Sequence, residues 1–382
     1  MSPRPSDHAA LPLPQWPAAD RLAWEVANRQ PDFLEAGGHG ATWRPASQHS
    51  AARAYGRWLG WLTAQGVELD AEAPASRLTL ERIRAYVAFV QEGRASVTVA
   101  GYAGVLCMVM RALFPDADWG WLRAVQRRLR RRSVPVRHKQ QRLVPANDLR
   151  QLGLNLIERA GAVLDEPCPA ATPPRPRITA ARDYRDGLLI ALLASRPLRV
   201  SNLLGIEIGE HLRRSGDRTT LSFKARETKQ NRALHTVWPE DLALALKRYL
   251  DQVRPMLIAA PAPGNVARYT KPLGARLWVG QGGTPLSPAG LQKLLERHTR
   301  SRFGHVVNAH LFRDCVATTL ANEDPIHLRY AAPLLGHTTL RTTERGYIAA
   351  DSRVALSRHH DHLAAIRKTA RQRQRTAGKN AP

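Results

Sequence analysis

The chain has 382 residues, 43% hydrophobic and 23% charged, an ordinary globular composition with length enough for two or three domains. Lys and Arg total 57 against 32 Asp and Glu, a formal net charge of +25, and such a field points to a polyanionic partner, nucleic acid or an anionic surface. No apolar run approaches the ~20 residues of a membrane span, the longest lying around 187–194, and the N-terminal MSPRPSDHAALPLPQ lacks the apolar core of a signal peptide.

Residues 1–45, rich in Pro, Ala and Gly, read as a loose N-terminal arm with one short helix at 18–27. A helical domain follows over 46–132. Tyr55, Trp58, Leu59 and Leu62 recur at i, i+3, i+4 and i+7 and make one apolar face. A second helix fits 79–92, with Thr79 as its cap and Leu80, Ile83, Tyr86, Val87 and Val90 as its face. A third fits 97–113. A fourth, at 119–132, carries Arg127, Arg128, Arg130, Arg131 and Arg132. Residues 133–142, with Pro135, Arg137 and Lys139 and no apolar period, read as a linker.

The second domain spans 143–350. It opens with a helix at 144–160, a Pro-rich loop over 164–178 and a buried helix at 182–194. Residues 218–224 and 232–238 read as two strands of a hairpin. Helices resume at 239–253, 287–303 (a Ser cap with Pro in the first turn), 308–322 and 325–335. A basic helix at 352–371 and a charged tail fill 351–382. The fold class is mainly α with a small β-hairpin or sheet. Cys107, Cys168 and Cys315 are far apart, in neither a disulfide framework nor a metal spacing, and fit a reducing, cytoplasmic interior.

Several residues carry possible chemistry. His310 and Arg313, three apart in NAHLFRDCVATTLA, share one helix face, and the arginine can fork onto two phosphate oxygens. His337 follows Gly336 at a helix end, and Tyr347 follows Gly346 in a Thr/Arg-rich segment. Arg199 lies between a buried helix and the start of another, where backbone N–H groups attract phosphate. Lys229 sits in the hairpin turn ETKQNRAL and can deliver a proton into a groove; Lys224 competes for that role. Singly, each also suits a solvated arginine, a packed histidine, a polar turn or a core tyrosine.

Taken in order, Arg, hairpin Lys, H-x-x-R, G-H and a late Tyr resemble the tyrosine recombinase (phage integrase) family, and SPAGLQKLLERHTRSRFGHVVNAHLFR resembles its segment before the second arginine. The resemblance covers 143–350 closely and 46–132, as a helical core DNA-binding domain, more loosely. It implies a two-domain C-clamp on double-stranded DNA, the second domain being catalytic and α+β. It implies that Arg199 and Arg313 clamp the non-bridging oxygens of the scissile phosphate. Tyr347 would attack phosphorus to form a 3′-phosphotyrosine, Lys229 would protonate the leaving 5′-oxygen, His310 would assist proton transfer at the tyrosine and His337 would hydrogen-bond the phosphate. The arginines of 127–132, with Arg137 and Lys139, would contact DNA phosphates. No metal or other cofactor is implied, and the family assembles as a tetramer on DNA, of one recombinase or together with others. No membrane partner is implied.

Three features depart from the family pattern. The positions two before and three after Arg199 hold Pro197 and Asn202 where the family has a glycine and an acid. The stretch from His337 to Tyr347 is one residue longer, with Gly346 as the insertion. The N-terminal arm lacks a separate arm-site-binding domain. Integration or excision of a mobile element is the expected role, with chromosome-dimer resolution by the same chemistry as a second. Two other classes stay open: a type IB topoisomerase-like relaxing enzyme, and a non-catalytic DNA-binding regulator of the same fold.

Overall fold

The computed structural model of the protein describes residues 10–136, 139–168, 174–216, 218–260 and 272–323. The helices expected at 325–335 and 352–371 lie outside them. The chain packs as two units that divide between residues 138 and 139.

The first unit is all-helical: α1 (Ala18–Asn28), α2 (Pro45–Ala64), α3 (Leu80–Gln91), α4 (Ser96–Leu113) and α5 (Gly120–Arg132). Thr79 caps α3 as expected, its hydroxyl accepting the Arg82 N–H at 3.2 Å. Tyr55, Trp58, Leu59 and Leu62 of α2 are fully buried, in one core with Leu106, Val109 and Met110 of α4. Trp58 stacks on Trp61 and meets Tyr86 edge-on, both at 5.3 Å.

Two expectations need correcting here. Residues 10–28 are not a loose arm. Trp16 and Trp24 are buried in this core, and Trp16 lies edge-on to Tyr55 at 5.0 Å. Asp20 is fully buried, pairs with buried Arg77 at 2.7 Å and accepts the Tyr55 hydroxyl at 2.5 Å. Burial, and then the Asp20 charge, push the Tyr55 pKa well above its ordinary value, so the hydroxyl stays a donor. The partners of this segment lie 35 and 57 residues away, where no local pattern reveals them. Second, α4 is 18 residues long and apolar enough, by length and composition, to cross a membrane. Half of it is buried inside the unit, as befits a core helix, and its Ser96, Thr98, Gly101 and Gly104 break the apolar run in the sequence.

The second unit opens with α6 (Ala146–Asp165) and α7 (Arg175–Ser195). The Pro-rich loop is shorter than expected, because Pro174 precedes α7 and Pro176 occupies its first turn, where a missing N–H costs nothing. Leu188 to Leu193 of α7 are fully buried on successive positions, so the helix is enclosed on every side. It crosses α6 at two glycines: a Cβ on Gly153 would lie 2.6 Å from the Gly187 carbonyl oxygen and the Ala191 nitrogen, and one on Gly187 would lie 2.6 Å from the Gly153 oxygen. The backbones therefore touch directly.

After α8 (Val200–Leu204) come β1 (Leu212–Ser215), β2 (Arg218–Phe223) and β3 (Leu234–Val237), an antiparallel sheet in that order. Leu212 pairs with Leu221 and Phe223 with Leu234, which puts Leu212, Leu221 and Phe223 into the core. The sequence showed the second and third strands only, since β1 buries a single side chain out of LRRS. The helix expected at 239–253 is broken into α9 (Ala243–Arg248), a π-helical turn at Tyr249–Val253 and α10 (Arg254–Ala259). Pro255 cannot donate to the carbonyl four residues back, and the wider turn absorbs the mismatch.

The last elements are α11 (Pro288–Phe303) and α12 (Ala309–Glu323). Ser287 caps α11 by accepting from Gly290 at 3.0 Å, Gly304 ends it in the left-handed region at φ +73°, and Asn308 caps α12 by accepting from Leu311 at 2.9 Å. Buried Asp186 of α7 accepts from Arg185 at 2.9 Å and from Arg297 of α11 at 2.9 Å, and lies 3.1 Å from Nε2 of His298. Burial works to raise the Asp186 pKa, but the Arg185 charge and His298 outweigh it and hold the carboxyl below its ordinary range. The start of α6 and the residues just before it are sewn to α12: Val144 N–H donates to Cys315 Sγ at 3.3 Å and Ala146 N–H to Thr319 Oγ1 at 2.9 Å.

The glycine crossing makes a direct test of this packing. Gly153→Ala forces the α6 and α7 backbones apart and is expected to cost about 1–3 kcal/mol, the range for overpacking a tight core. In denaturant unfolding, the transition of the second unit should move to lower concentration while that of the first stays put. An unmoved second transition would rule out the close crossing.

Candidate active site

The site starts in the loop between α7 and α8. Arg196 pins this loop to the sheet, donating to Thr236 Oγ1 at 3.1 Å and to the Val237 carbonyl at 3.2 Å on β3. Three residues later Arg199 stands, half-buried, at the residue that precedes α8. Burial pulls its guanidinium pKa down from its ordinary value.

Arg313 comes to this loop from α12. It is 8% exposed and donates a short hydrogen bond to the Pro197 carbonyl, two residues before Arg199. The two arginines, 114 positions apart in sequence, are thus brought to one short loop. His310 lies one turn before Arg313 and is exposed.

Lys229 sits exposed in the turn between β2 and β3. Among the described residues it has no ion pair, whereas the Lys224 ammonium is 2.8 Å from the Glu210 carboxylate. The turn is built by residues the sequence did not single out. Glu227 accepts the Lys224 N–H at 2.6 Å and lies 3.3 Å from Nε2 of His211. His211 Nδ1 accepts the Glu207 N–H at 3.1 Å, so the ring proton sits on Nε2 and faces Glu227. Burial opposes ionisation of Glu227, but the Lys224 N–H and His211 hold its carboxyl below the ordinary range. Buried Thr228 donates to the Arg232 carbonyl at 2.7 Å and accepts the Arg232 N–H at 3.1 Å. Asn231 takes φ +53°, a left-handed conformation its short amide tolerates. The only sequence signal for these roles is a run of short polar side chains at a turn, which many turns share.

Two groups have metal-ligand spacing, their ligand atoms lying within 4.8 Å of one another: Asp183, Asp186 and His298, and Glu207, Glu210 and His211. Side-chain cations already serve both. Arg297 lies 2.8 Å from Asp183 and 2.9 Å from Asp186, and Arg276 and Lys224 lie 3.2 Å and 2.8 Å from Glu207 and Glu210. They are ion-pair networks.

Away from this loop, Arg127, Arg128, Arg130, Arg131 and Arg132 lie on the last turns of α5, and none forms a salt bridge with another described residue. Lys139 instead pairs with Asp314 of α12 at 2.7 Å. His337, Tyr347 and Arg137 lie outside the described residues.

Residues 175–353 match the phage integrase family, a stretch that holds all six positions from Arg199 to Tyr347. This stretch, a little under half of the chain, is thus similar to the family of the tyrosine-type site-specific recombinases. Among solved structures, it is similar to XerH site-specific recombinase bound to palindromic difH substrate in a post-cleavage complex, with 15% identity over 79% of this chain and 75% of that one and a TM-score of 0.47. The pre-cleavage XerH–difH complex gives 14% identity, 86% and 91% coverage and a TM-score of 0.47; XerA recombinase gives 14%, 85% and 94%, and 0.39. No curated protein sequence matches the chain.

The thiols report on α12. Burial pushes Cys315, two residues past Arg313, up to about 11, and raises Cys107 as well, while Cys168 is only half-buried. A thiol reagent at about pH 8 should label Cys168 rapidly and the other two only on unfolding, because the thiolate is the reactive form. Rapid native labelling of Cys315 would show that α12 is not packed as described.

Proposed function

We propose that the protein cuts and rejoins double-stranded DNA at specific sites through a 3′-phosphotyrosyl intermediate, in the integration or excision of a mobile element. The observation that carries this reading is the hydrogen bond from Arg313 to the Pro197 carbonyl. It brings a second guanidinium to the loop of the first, as two-handed binding of one phosphate requires.

In the proposed step Tyr347 Oη attacks phosphorus and its proton passes to His310. The bond from phosphorus to the 5′-oxygen breaks, and that oxygen takes a proton from Lys229. Arg199, Arg313 and His337 stabilise the charge that builds on the non-bridging oxygens. The phosphotyrosyl bond conserves the energy of the broken linkage, so a 5′-hydroxyl of another strand can expel Tyr347 and reseal the DNA without ATP. The exposed position of Lys229, against the Lys224–Glu210 pair, favours Lys229 as the proton donor. Exchange needs two cleaved duplexes and therefore four protomers. The α5 arginines supply phosphate contacts that hold the protein on DNA without reading sequence.

Nicked suicide DNA from the boundaries of the element encoding the protein should trap a covalent adduct on a denaturing gel. Tyr347→Phe should give none while binding DNA normally, and Arg313→Ala should lower the rate about 10²-fold or more, as for loss of a transition-state donor. An adduct with the Phe variant would overturn the assignment of the nucleophile.

Binding should also depend steeply on salt. If the protein neutralises about 8 phosphates, log K should fall against log[salt] with a slope near −7, and replacing Arg127, Arg128 and Arg131 by Ala should flatten it by roughly 0.9 for each phosphate left without its arginine. A flat titration of the unaltered protein would remove the nucleic-acid reading.

A further inference from the structure

Asn202 stands three residues after Arg199, on α8, and is 4% exposed. Its side-chain amide donates to the Glu227 carbonyl at 3.2 Å. Glu227 is the last residue of the one-turn segment Ala225–Glu227, two positions before Lys229. The bond therefore runs from the segment that carries Arg199 to the turn that carries Lys229.

We propose that Asn202 is a positioning residue, which sets the Lys229 turn at a fixed distance from the phosphate held by Arg199. The inference rests on the strand-transfer reading above and adds to it the part that places the proton donor. Lysine is a point charge on a flexible four-carbon stem, so its reach is only as well defined as the backbone at its root. The bonds of Glu227 to the Lys224 N–H and of Thr228 to Arg232 fix the internal shape of the turn. The contact of His211 with Glu227 ties the turn to the segment that leads into β1. The Asn202 bond ties it to α8.

The chemistry of the amide matters. The bond ends on a carbonyl, which can only accept, so the side chain must donate. An ionised carboxylate has no proton to give and would face the carbonyl with like charge. Where the family pattern has an acid, this chain has a donor of nearly the same size, and the turn it meets offers a matching acceptor.

The test compares suicide-DNA cleavage on an ordinary phosphodiester with cleavage on the same site carrying sulfur in place of the bridging 5′-oxygen. Sulfur leaves as a thiolate and needs no proton from Lys229. Asn202→Ala and Asn202→Asp should slow the oxygen substrate by up to about 10²-fold, the scale of an ångström-sized misplacement. On the sulfur substrate both should return to within about threefold of the unaltered protein, as Lys229→Ala should, since the missing proton transfer no longer limits the rate. DNA binding by the variants should be unchanged.

Equal slowing on both substrates with binding intact would overturn the proposal, because Asn202 would then act through Arg199. An unslowed variant, or loss of DNA binding by both variants, would overturn it too. If the unaltered protein cleaves neither substrate, the strand-transfer reading itself falls and this inference falls with it; slowing of the Asn202 variants without sulfur rescue, beside a rescued Lys229→Ala, removes the inference alone.

Discussion

The second unit is organised by an α-helix with no free face over its second half. From Tyr184 to Ala194 α7 is buried, and at Gly187 its backbone meets that of α6 at Gly153 with no room for a Cβ on either side. Packing this close leaves few alternative positions, because sliding either helix would drive a side chain into the other's backbone. The buried Asp186 then carries the same frame to α11 through Arg297 and His298. An ionised carboxylate with three donors is expensive to separate from them, so the orientation of α11, and of α12 after it, is tied to α7.

That frame ends where the candidate chemistry begins. Ser195 closes α7, and the next four residues hold Arg196, Pro197 and Arg199. Arg196 reaches the sheet, the Pro197 carbonyl receives Arg313, and Asn202 reaches the turn of Lys229. In each case a side chain from one segment bonds a group of another that is distant in sequence. Two cations converging on one loop repel each other. Here the carbonyl of Pro197 takes up part of the Arg313 charge, and Arg199 is half-buried.

Much of the secondary structure was legible because its signals are local. Thr79, Ser287 and Asn308 stand at helix starts and do cap them, and the apolar stripe from Tyr55 to Leu62 is a buried face. The errors fall where the deciding contact is distant. Trp16 and Asp20 looked like parts of an arm, since their partners Tyr55 and Arg77 come much later in the chain. β1 escaped because four residues with one buried side chain carry no period, and its pairing with β2 is what makes it a strand.

By itself, the sequence determined the sign and size of the charge, the helical character of both units, the β2–β3 hairpin and the ordered set of Arg, Lys, His-x-x-Arg, Gly-His and Tyr that resembles the family's pattern. These are properties of composition, of short-range period and of residue order, all written along one dimension. Only the tertiary structure decided that Arg313 meets the loop of Arg199, that Lys224 is taken by Glu210 while Lys229 stays exposed, and that Asn202 is spent on the Glu227 carbonyl. Each is a hydrogen bond or ion pair a few ångströms long between residues 14 to 116 positions apart, and its strength depends on distance and burial, which linear spacing does not encode.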